Sequence, residues 1–189
     1  MRLFIAEKPS LGRAIAAELG VTKTNPAFQV CGSDVVTWGF GHILEPYNPE
    51  DYDENLRTWR RRDLPIIPTE WKLRPKKEAY TQLQVINHLL SEASSVVHAG
   101  DPDREGQLLV DEVLEYFRYT GPVQRIWLAS LDSRSIQKAL ATLKDNREYA
   151  ALRDSALARS KADWFVGMNA SRAMTLFGRE TGREDILSL

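Results

Sequence analysis

Apolar and polar positions recur along the chain with two periods, one typical of strands and one typical of helices. Between residues 10 and 19, for example, Leu11, Ile15 and Leu19 recur at every fourth position, and Gly20 follows as a helix stop signal. The same patterns predict strands at residues 1–6, 28–31, 35–38, 95–99 and 124–128, and helices at residues 10–19, 78–93, 104–117 and 133–143.

The order of these elements predicts the fold class. Strands that alternate with helices favour an α/β fold, in which a mainly parallel sheet is flanked by helices. Residues 28–31 and 35–38 are separated only by Gly32-Ser33-Asp34, so we expect a β-hairpin there.

Two segments depart from this alternation. Residues 39–77 are rich in Pro, Asn, Asp and Arg with little periodicity, which is typical of a functional or disordered loop, and Trp59 and Trp71 argue against disorder. After residue 146 only a helical period remains, with Leu157, Trp164 and Met168 on one stripe. We therefore expect one domain at residues 1–150 and the beginning of an all-helical domain at residues 151–189.

Composition narrows the class of protein. The 189 residues are 43% hydrophobic and 27% charged, which is ordinary for a globular protein. No apolar run approaches the roughly 20 residues of a membrane span, and residues 1–6 lead into a strand rather than a signal peptide. Cys31 is the single cysteine, so we expect neither an internal disulfide nor a zinc cluster. These features favour a reducing, cytoplasmic setting and no membrane partner.

Charge is unevenly distributed although the net charge is only -1. Residues 57–77 contain eight Lys or Arg, residues 101–115 contain six acids, and residues 153–179 contain five basic side chains. This pattern is typical of solvated faces, but it also suits a cation site flanked by phosphate-binding surface. Charge alone leaves both interpretations open.

Acidic side chains follow two of the predicted strands. Glu7 and Lys8 come after the first strand, and Asp101, Asp103 and Glu105 follow the strand at 95–99. Ligands of parallel sheets bind at the carboxyl ends of strands, so these carboxylates converge if the two strands are neighbours. Their oxygens are ligands that Mg²⁺ prefers. The alternative is local, since Asp103 suits the N-cap of the next helix and acids in its first turn complement the helix dipole.

Four stretches of the chain, in this order, resemble the Toprim domain of type IA DNA topoisomerases, and the topoisomerase III branch most closely. They are residues 5–10 (IAEKPS), 37–45 (TWGFGHILE), 100–107 (GDPDREGQ) and 158–164 (ARSKADW), with Asn169 and Arg172 after the last. The resemblance covers essentially the whole chain. It implies a Rossmann-like Toprim fold followed by the start of a helical DNA-binding domain.

The resemblance also implies roles for the acidic strand ends. Glu7 would act as a general acid or metal ligand beside the scissile phosphate, and Lys8 would stabilise phosphate charge. Asp101, Asp103 and Glu105 would hold Mg²⁺, for which Mn²⁺ can substitute. Crowded carboxylates raise one another's pKa, which suits Glu7 as a proton donor.

The nucleophile of the resembled family is a tyrosine that forms a 5′-phosphotyrosine downstream of these motifs. None of the six tyrosines of this chain stands in that context. We therefore expect the N-terminal catalytic portion of an ATP-independent isomerase that cuts, passes and reseals single DNA strands. We expect the portion to be inactive in cleavage alone, with single-stranded DNA and the remaining topoisomerase domains as its partners.

Candidate DNA contacts lie in the two basic stretches. Trp59 stands among four arginines within residues 57–62, which combines a stacking surface with phosphate-seeking charge, although it could equally anchor the long loop. In the C-terminal helix Arg159 and Asp163 have the spacing of a simple helix pair. The resemblance instead points to a backbone-contacting face formed by Arg159, Lys161, Asp163, Asn169 and Arg172.

Three functions remain in competition. The leading hypothesis is the catalytic Toprim portion of a topoisomerase III-like enzyme. The second is a stand-alone Toprim primase- or nuclease-like protein, and the third is a non-catalytic nucleic-acid-binding module. The helix from Arg159 to Arg172 favours the first over the second, and the intact acidic set argues against the third.

Overall fold

The computed structural model describes residues 1–182, which divide into two compact units. The first unit comprises Met1–Glu45 and Pro75–Ala156, and the second comprises Pro46–Arg74 and the chain from Leu157 onward. The end of the predicted helical domain, at residues 183–189, lies outside the described residues. The domain boundary at residue 150 stays a prediction. The compact units add that segment 46–74 groups with the C-terminal helix.

Strands and helices alternate through the described residues. The strands are β1 (Arg2–Ala6), β2 (Lys23–Asn25), β3 (Phe28–Cys31), β4 (Asp34–Trp38), β5 (Leu44–Pro46), β6 (Leu73–Pro75), β7 (Ser95–Ala99), β8 (Val123–Arg125) and β9 (Lys144–Asp145). The α-helices are α1 (Pro9–Leu19), α2 (Pro49–Tyr52), α3 (Tyr80–Glu92), α4 (Arg104–Tyr116), α5 (Ser133–Leu140) and α6 (Ala150–Glu180).

Within residues 1–182 the main sheet has seven strands in the order β2-β3-β4-β1-β7-β8-β9. The four central strands are parallel, and antiparallel partners close both edges. The predicted α/β class, the mainly parallel centre and the hairpin of β3 and β4 are confirmed. β5 and β6 form a separate two-stranded sheet.

Burial explains why β1 lies at the centre of the sheet. Leu3, Phe4, Ile5 and Ala6 are all at most 2% exposed, as a strand covered on both faces requires. The helix after it, α1, begins with Pro9, whose fixed φ suits a first turn. It ends at Gly20, whose φ of 83° is the left-handed conformation that glycine adopts without strain.

Some boundaries differ from the predicted ones. The strand predicted at 124–128 is β8, which ends at Arg125, and the helix predicted at 133–143 ends at Leu140. β2 and β9 are three and two residues long and were not predicted, because so few residues carry no periodicity.

Aromatic side chains organise the second unit. The Trp164 ring of α6 packs edge-on against Tyr52 and Trp71, with ring centroids 6.4 and 5.2 Å apart. Its Nε1 donates a hydrogen bond to the backbone oxygen of Tyr47 at 3.0 Å. These contacts agree with the expectation that residues 39–77 are ordered. None of the helices described in residues 1–182 is long and apolar enough to cross a membrane.

Candidate functional site

The carboxyl ends of β1 and β7 bring the predicted acidic residues together. The two strands are parallel neighbours in the sheet, with Ala6 opposite Ala99. Glu7 therefore leaves the sheet beside Gly100, and the backbone N–H of Asp101 donates to Glu7 Oε2 at 3.0 Å. The predicted convergence of the two acidic strand ends is confirmed.

Two glycines allow this close approach. A Cβ on Gly106 would lie 2.5 Å from the Asp101 nitrogen and 2.8 Å from Glu7 Oε2, closer than side-chain carbons pack. A Cβ on Gly100 would collide with the backbone oxygen of Gly106. The first turn of α4 can therefore close over the end of β7 only because both positions lack a side chain.

Each acidic side chain of the site has a partner within the protein. Lys8 Nζ lies 2.5 Å from Asp101 Oδ2. Asp103 caps α4 by accepting from the Gly106 N–H at 2.7 Å, so the local capping role considered for it is confirmed. Glu105 pairs with the Arg104 guanidinium at 3.2 Å. Lys8 thus places a positive charge on the carboxylate cluster.

Burial is the main reason that the pKa of Glu7 is raised above its ordinary value. The nearby charges of Asp101 and Asp103 raise the pKa further, whereas the Asp101 N–H and Lys8 oppose the shift. Crowding by carboxylates was expected to be the cause, and the structure shows that it contributes less to the raised pKa than burial does. The pKa of Lys8 is raised, chiefly by its hydrogen bond to Asp101, so Lys8 stays charged at neutral pH.

The donor chemistry of this edge fits a hard divalent cation, although the side chains are not arranged around one. No three His, Cys, Asp or Glu residues within the described part of the chain are arranged to hold a metal ion. Glu7, Asp101 and Asp103 nevertheless supply carboxylate oxygens at one sheet edge, the ligands that Mg²⁺ and Mn²⁺ take in proteins. A cation bound to Asp101 would have to displace Lys8.

A buried arginine beneath the acidic loop was not predicted. Arg125 of β8 is 0% exposed, and its guanidinium donates to the backbone oxygens of Gly100 at 2.9 Å and Asp101 at 2.7 Å. It also donates to Gln107 Oε1 at 2.7 Å. Burial lowers the pKa of Arg125 to about 10, so it remains charged at neutral pH. The sequence signal was a charged residue inside a predicted strand.

The Gln107 side chain extends this buried network. Its Nε2 donates to Asp111 Oδ2 at 2.8 Å and to Asn146 Oδ1 at 2.9 Å. The ring of His98 bonds the Gln107 backbone oxygen at 2.9 Å. Burial, reinforced by the charge of Arg125, lowers the pKa of His98 to about 3, so this histidine is neutral. The polar network therefore holds α4, β7 and β8 together behind the acidic edge.

Two of the predicted DNA contacts are used within the second unit. Arg172 is 3% exposed, and it donates to the Leu56 backbone oxygen at 2.6 Å and to Glu50 at 3.2 Å. Asn169 bonds both the N–H and the oxygen of Ile66, at 2.6 and 3.0 Å. These hydrogen bonds attach α6 to the loop, and the role of Asn169 and Arg172 as DNA contacts stays a prediction.

Trp59 packs against Arg172, whose guanidinium carbon lies 5.0 Å from the ring centroid. This is the contact expected of a tryptophan that anchors the loop. Lys161 Nζ lies 5.7 Å from the centroid of Trp71, and Arg159 lies 3.5 Å from Asp163 on the surface of α6. Arg159, Lys161 and Asp163 stay predictions as DNA contacts.

Comparison with known proteins identifies the domain. Residues 2–131 match the family model of the Toprim domain. The chain belongs to the Toprim family. The matched segment includes every residue of the acidic edge, together with Arg125. Toprim domains of topoisomerases bind a divalent metal, in agreement with the carboxylate chemistry of this one.

Relatives of this Toprim chain are named as topoisomerases of the branch that the sequence motifs resemble. It is similar to proteins named DNA topoisomerase 3 from Vibrio cholerae, at 50% identity over 194 residues, and from Haemophilus influenzae, at 47% over 195 residues. Each match covers 100% of this chain and 30% of the relative. The resemblance to the topoisomerase III branch is thereby confirmed, and the chain spans about a third of the length of these relatives.

A solved structure supports the fold. The structure of full-length topoisomerase I from Thermotoga maritima superimposes with a TM-score of 0.64 at 17% identity, over 92% of this chain and 26% of that one. At this low identity the likeness shows the fold alone.

Proposed function

We propose that this chain is the catalytic Toprim portion of a topoisomerase III-like enzyme that cuts, passes and reseals single DNA strands without ATP. The observation that carries the proposal is that Glu7 and Lys8, at the end of β1, both contact Asp101, at the end of the neighbouring strand β7. The names of relatives aligned over the whole chain support the same reaction. We propose that the reaction takes place in the cytoplasm, where the single thiol of the chain, the buried Cys31, stays reduced.

Glu7 is the proposed proton donor of strand cleavage. Its carboxyl is partly buried at the sheet edge, and its raised pKa keeps a larger share of it protonated than an exposed glutamate. A departing 3′-oxygen needs a proton as its bond to phosphorus breaks, and a carboxylic acid within hydrogen-bond reach supplies it. During resealing the same carboxylate takes that proton back.

Lys8 is the proposed phosphate-binding residue. Its ammonium group carries three donors on a flexible stem, and it lies over Asp101 at the same edge. Positive charge at this point stabilises the negative charge that builds up on the phosphoryl oxygens in the transition state. Lys8 would exchange Asp101 for the phosphate when DNA binds.

Asp101, Asp103 and Glu105, with Glu7 beside them, are the proposed ligands of Mg²⁺ or Mn²⁺. The bound ion would supply charge stabilisation on the phosphoryl oxygens. The chain's own contribution is to hold the carboxylates in place. Arg125 fixes the Asp101 backbone from below, and Asp103 is fixed by its cap on α4.

The proposed DNA contacts outside the acidic edge are Arg159, Lys161 and Asp163 of α6, with Trp59 as a stacking surface only if the loop opens. Contacts from Arg and Lys to phosphate are weakened by salt. We expect the 189-residue chain to bind single-stranded DNA feebly, with an affinity that falls as salt is raised.

The test incubates this chain with end-labelled single-stranded DNA and Mg²⁺, followed by denaturing electrophoresis. Salt-sensitive binding with neither cutting nor a protein–DNA adduct is the expected result, because no tyrosine here stands in the nucleophile's context. Metal-dependent cutting without an adduct, lost in Asp103→Asn, would favour a nuclease instead. An adduct on any of the six tyrosines would show that the nucleophile was misplaced.

A further inference from the structure

A large aromatic side chain is exposed close to the acidic edge and has no part in the chemistry described above. Trp127, two residues beyond the end of β8, is 39% exposed. Its ring stacks on Tyr149 with centroids 5.2 Å apart and an angle of 14° between the planes. The pair is therefore a nearly parallel stack with an exposed tryptophan.

The position of Arg125 shows which face of Trp127 it leaves uncovered. The guanidinium carbon lies 5.0 Å from the Trp127 centroid and 5.8 Å from the Tyr149 centroid. Three centres separated by such similar distances form a nearly equilateral triangle. The guanidinium therefore cannot lie on the Trp127 face opposite Tyr149, where its distance to Tyr149 would be much longer. Neither Tyr149 nor Arg125 therefore covers the indole face opposite Tyr149, and 39% of the Trp127 surface is open to a ligand.

The same guanidinium connects this stack to the acidic edge. Arg125 Nη2 donates to the Asp101 backbone oxygen at 2.7 Å, so a single guanidinium separates the Trp127 ring from the Asp101 backbone. β8 is also the parallel neighbour of β7, so the two strands end at the same edge of the sheet. Glu7 and Lys8 both contact Asp101, so a nucleotide chain with one phosphate at this pair would bring its neighbouring nucleotides toward Trp127.

We propose that the outer face of Trp127 stacks on a nucleobase of single-stranded DNA, with Tyr149 as the support behind it. The location of the phosphate rests on the function proposed above. Only a single strand offers an open base face, whereas the bases of a duplex are already stacked on one another. Stacking on an indole tolerates every base, so the platform selects for strand state rather than for sequence.

The effect on affinity follows from the usual strength of base–aromatic stacking. Losing one stacked base weakens single-strand binding by about 5- to 150-fold. We expect Trp127→Leu to show a loss in this range. Trp127→Tyr keeps a flat ring on the support and should stay within about threefold of the wild type. Aromatic character, not bulk, thus decides the outcome.

The experiment measures binding of a fluorescent oligothymidylate and of its abasic counterpart to the 189-residue chain at low salt, by anisotropy. The wild type should prefer the oligothymidylate, and Trp127→Leu should lose that preference while its affinity for the abasic strand is unchanged. Tyr116→Leu is the matched control, since Tyr116 is 40% exposed and ring-packed on Phe117 in the same unit. It should bind as the wild type does.

Three results would overturn the platform, and they are distinguishable. Equal preference for bases in the wild type and Trp127→Leu, with DNA still bound, refutes the platform and leaves the proposed function intact. Absence of any DNA binding by the wild type contradicts both the stacking platform and the proposed function. Melting curves of the variants identify a loss due to unfolding, and a folded Trp127→Tyr that binds as weakly as Trp127→Leu also refutes the stacking role.

Discussion

Replacement of Arg125 by methionine tests how the acidic edge is held in place. The side chain is 0% exposed and donates to Gln107 Oε1 and to four backbone oxygens, at distances from 2.6 to 3.3 Å. Two of those oxygens belong to Gly100 and Asp101. Methionine fills much of the same volume, but it removes the guanidinium donor from all five acceptors, of which only the His98 and Asp101 oxygens keep a backbone donor within residues 1–182.

The expected loss of stability is large. Each charge-assisted hydrogen bond contributes about 1.5–3 kcal/mol, but these contributions are not additive, and loss of one buried charged partner typically costs about 3–5 kcal/mol in total. We therefore expect Arg125→Met to lower the free energy of unfolding by about 4 kcal/mol. For a chain of this size the corresponding fall in Tm is about 10 °C.

The assay is urea unfolding followed by circular dichroism, with Arg147→Met as the matched control. The Arg147 side chain is 91% exposed and pairs with Asp145 on the surface, so its removal should cost less than about 0.5 kcal/mol. Calorimetry with Mn²⁺ should also show weaker binding to folded Arg125→Met, because the Asp101 backbone is no longer fixed. A loss below about 1 kcal/mol, with unchanged Mn²⁺ binding, would refute the reasoning.

Three further predictions follow from the structure. Burial raises the pKa of Glu112 to about 7, so the folded chain holds a proton there that the unfolded chain releases. The free energy of unfolding should therefore fall as pH rises from about 5 through 7. The urea midpoint of Glu112→Gln should change less over that range than the midpoint of the wild type. Gly106→Ala should destabilise the chain and weaken Mn²⁺ binding, because the added Cβ would collide with the Asp101 nitrogen. The control Gly167→Ala should raise Tm slightly, because its Cβ meets nothing within 4 Å and alanine favours the helix. Mg²⁺ or Mn²⁺ should raise the Tm of the wild type but not of the Asp101→Asn/Asp103→Asn double variant. If calorimetry finds Mn²⁺ binding unchanged in that variant, the metal binds elsewhere.

The sequence predicted the central sheet and the acidic edge for the same reason. Both depend on local periodicity and on a general rule of parallel sheets, that strand ends carrying polar residues meet at one edge. Glu7 and Asp101 could therefore be brought together without knowledge of any side-chain contact. The short strands β2 and β9 could not be predicted, because three and two residues are too few to show the alternation of a strand.

Buried arginines show where the sequence is insufficient. The resemblance placed Arg172 on a DNA-binding face, and the structure shows its guanidinium buried in the second unit, where it donates to Leu56 and Glu50. Arg125 was not predicted as part of the site at all. The acceptors of Arg125 are mostly backbone oxygens, and those of Arg172 are one backbone oxygen and one carboxylate, 116 and 122 residues away. No residue pattern marks which oxygens will converge on a guanidinium.

The most direct test of the central claim is a chimera. This chain replaces the aligned N-terminal segment of the Vibrio cholerae relative, which is 50% identical over 194 residues, and relaxation of negatively supercoiled plasmid is measured with Mg²⁺ and without ATP. The chimera should relax the plasmid, Glu7→Gln should abolish relaxation, and the exposed control Glu92→Gln should leave it unchanged. A folded chimera without activity, or one in which Glu7→Gln relaxes DNA as well as Glu92→Gln, would contradict the assignment of this edge as the catalytic site.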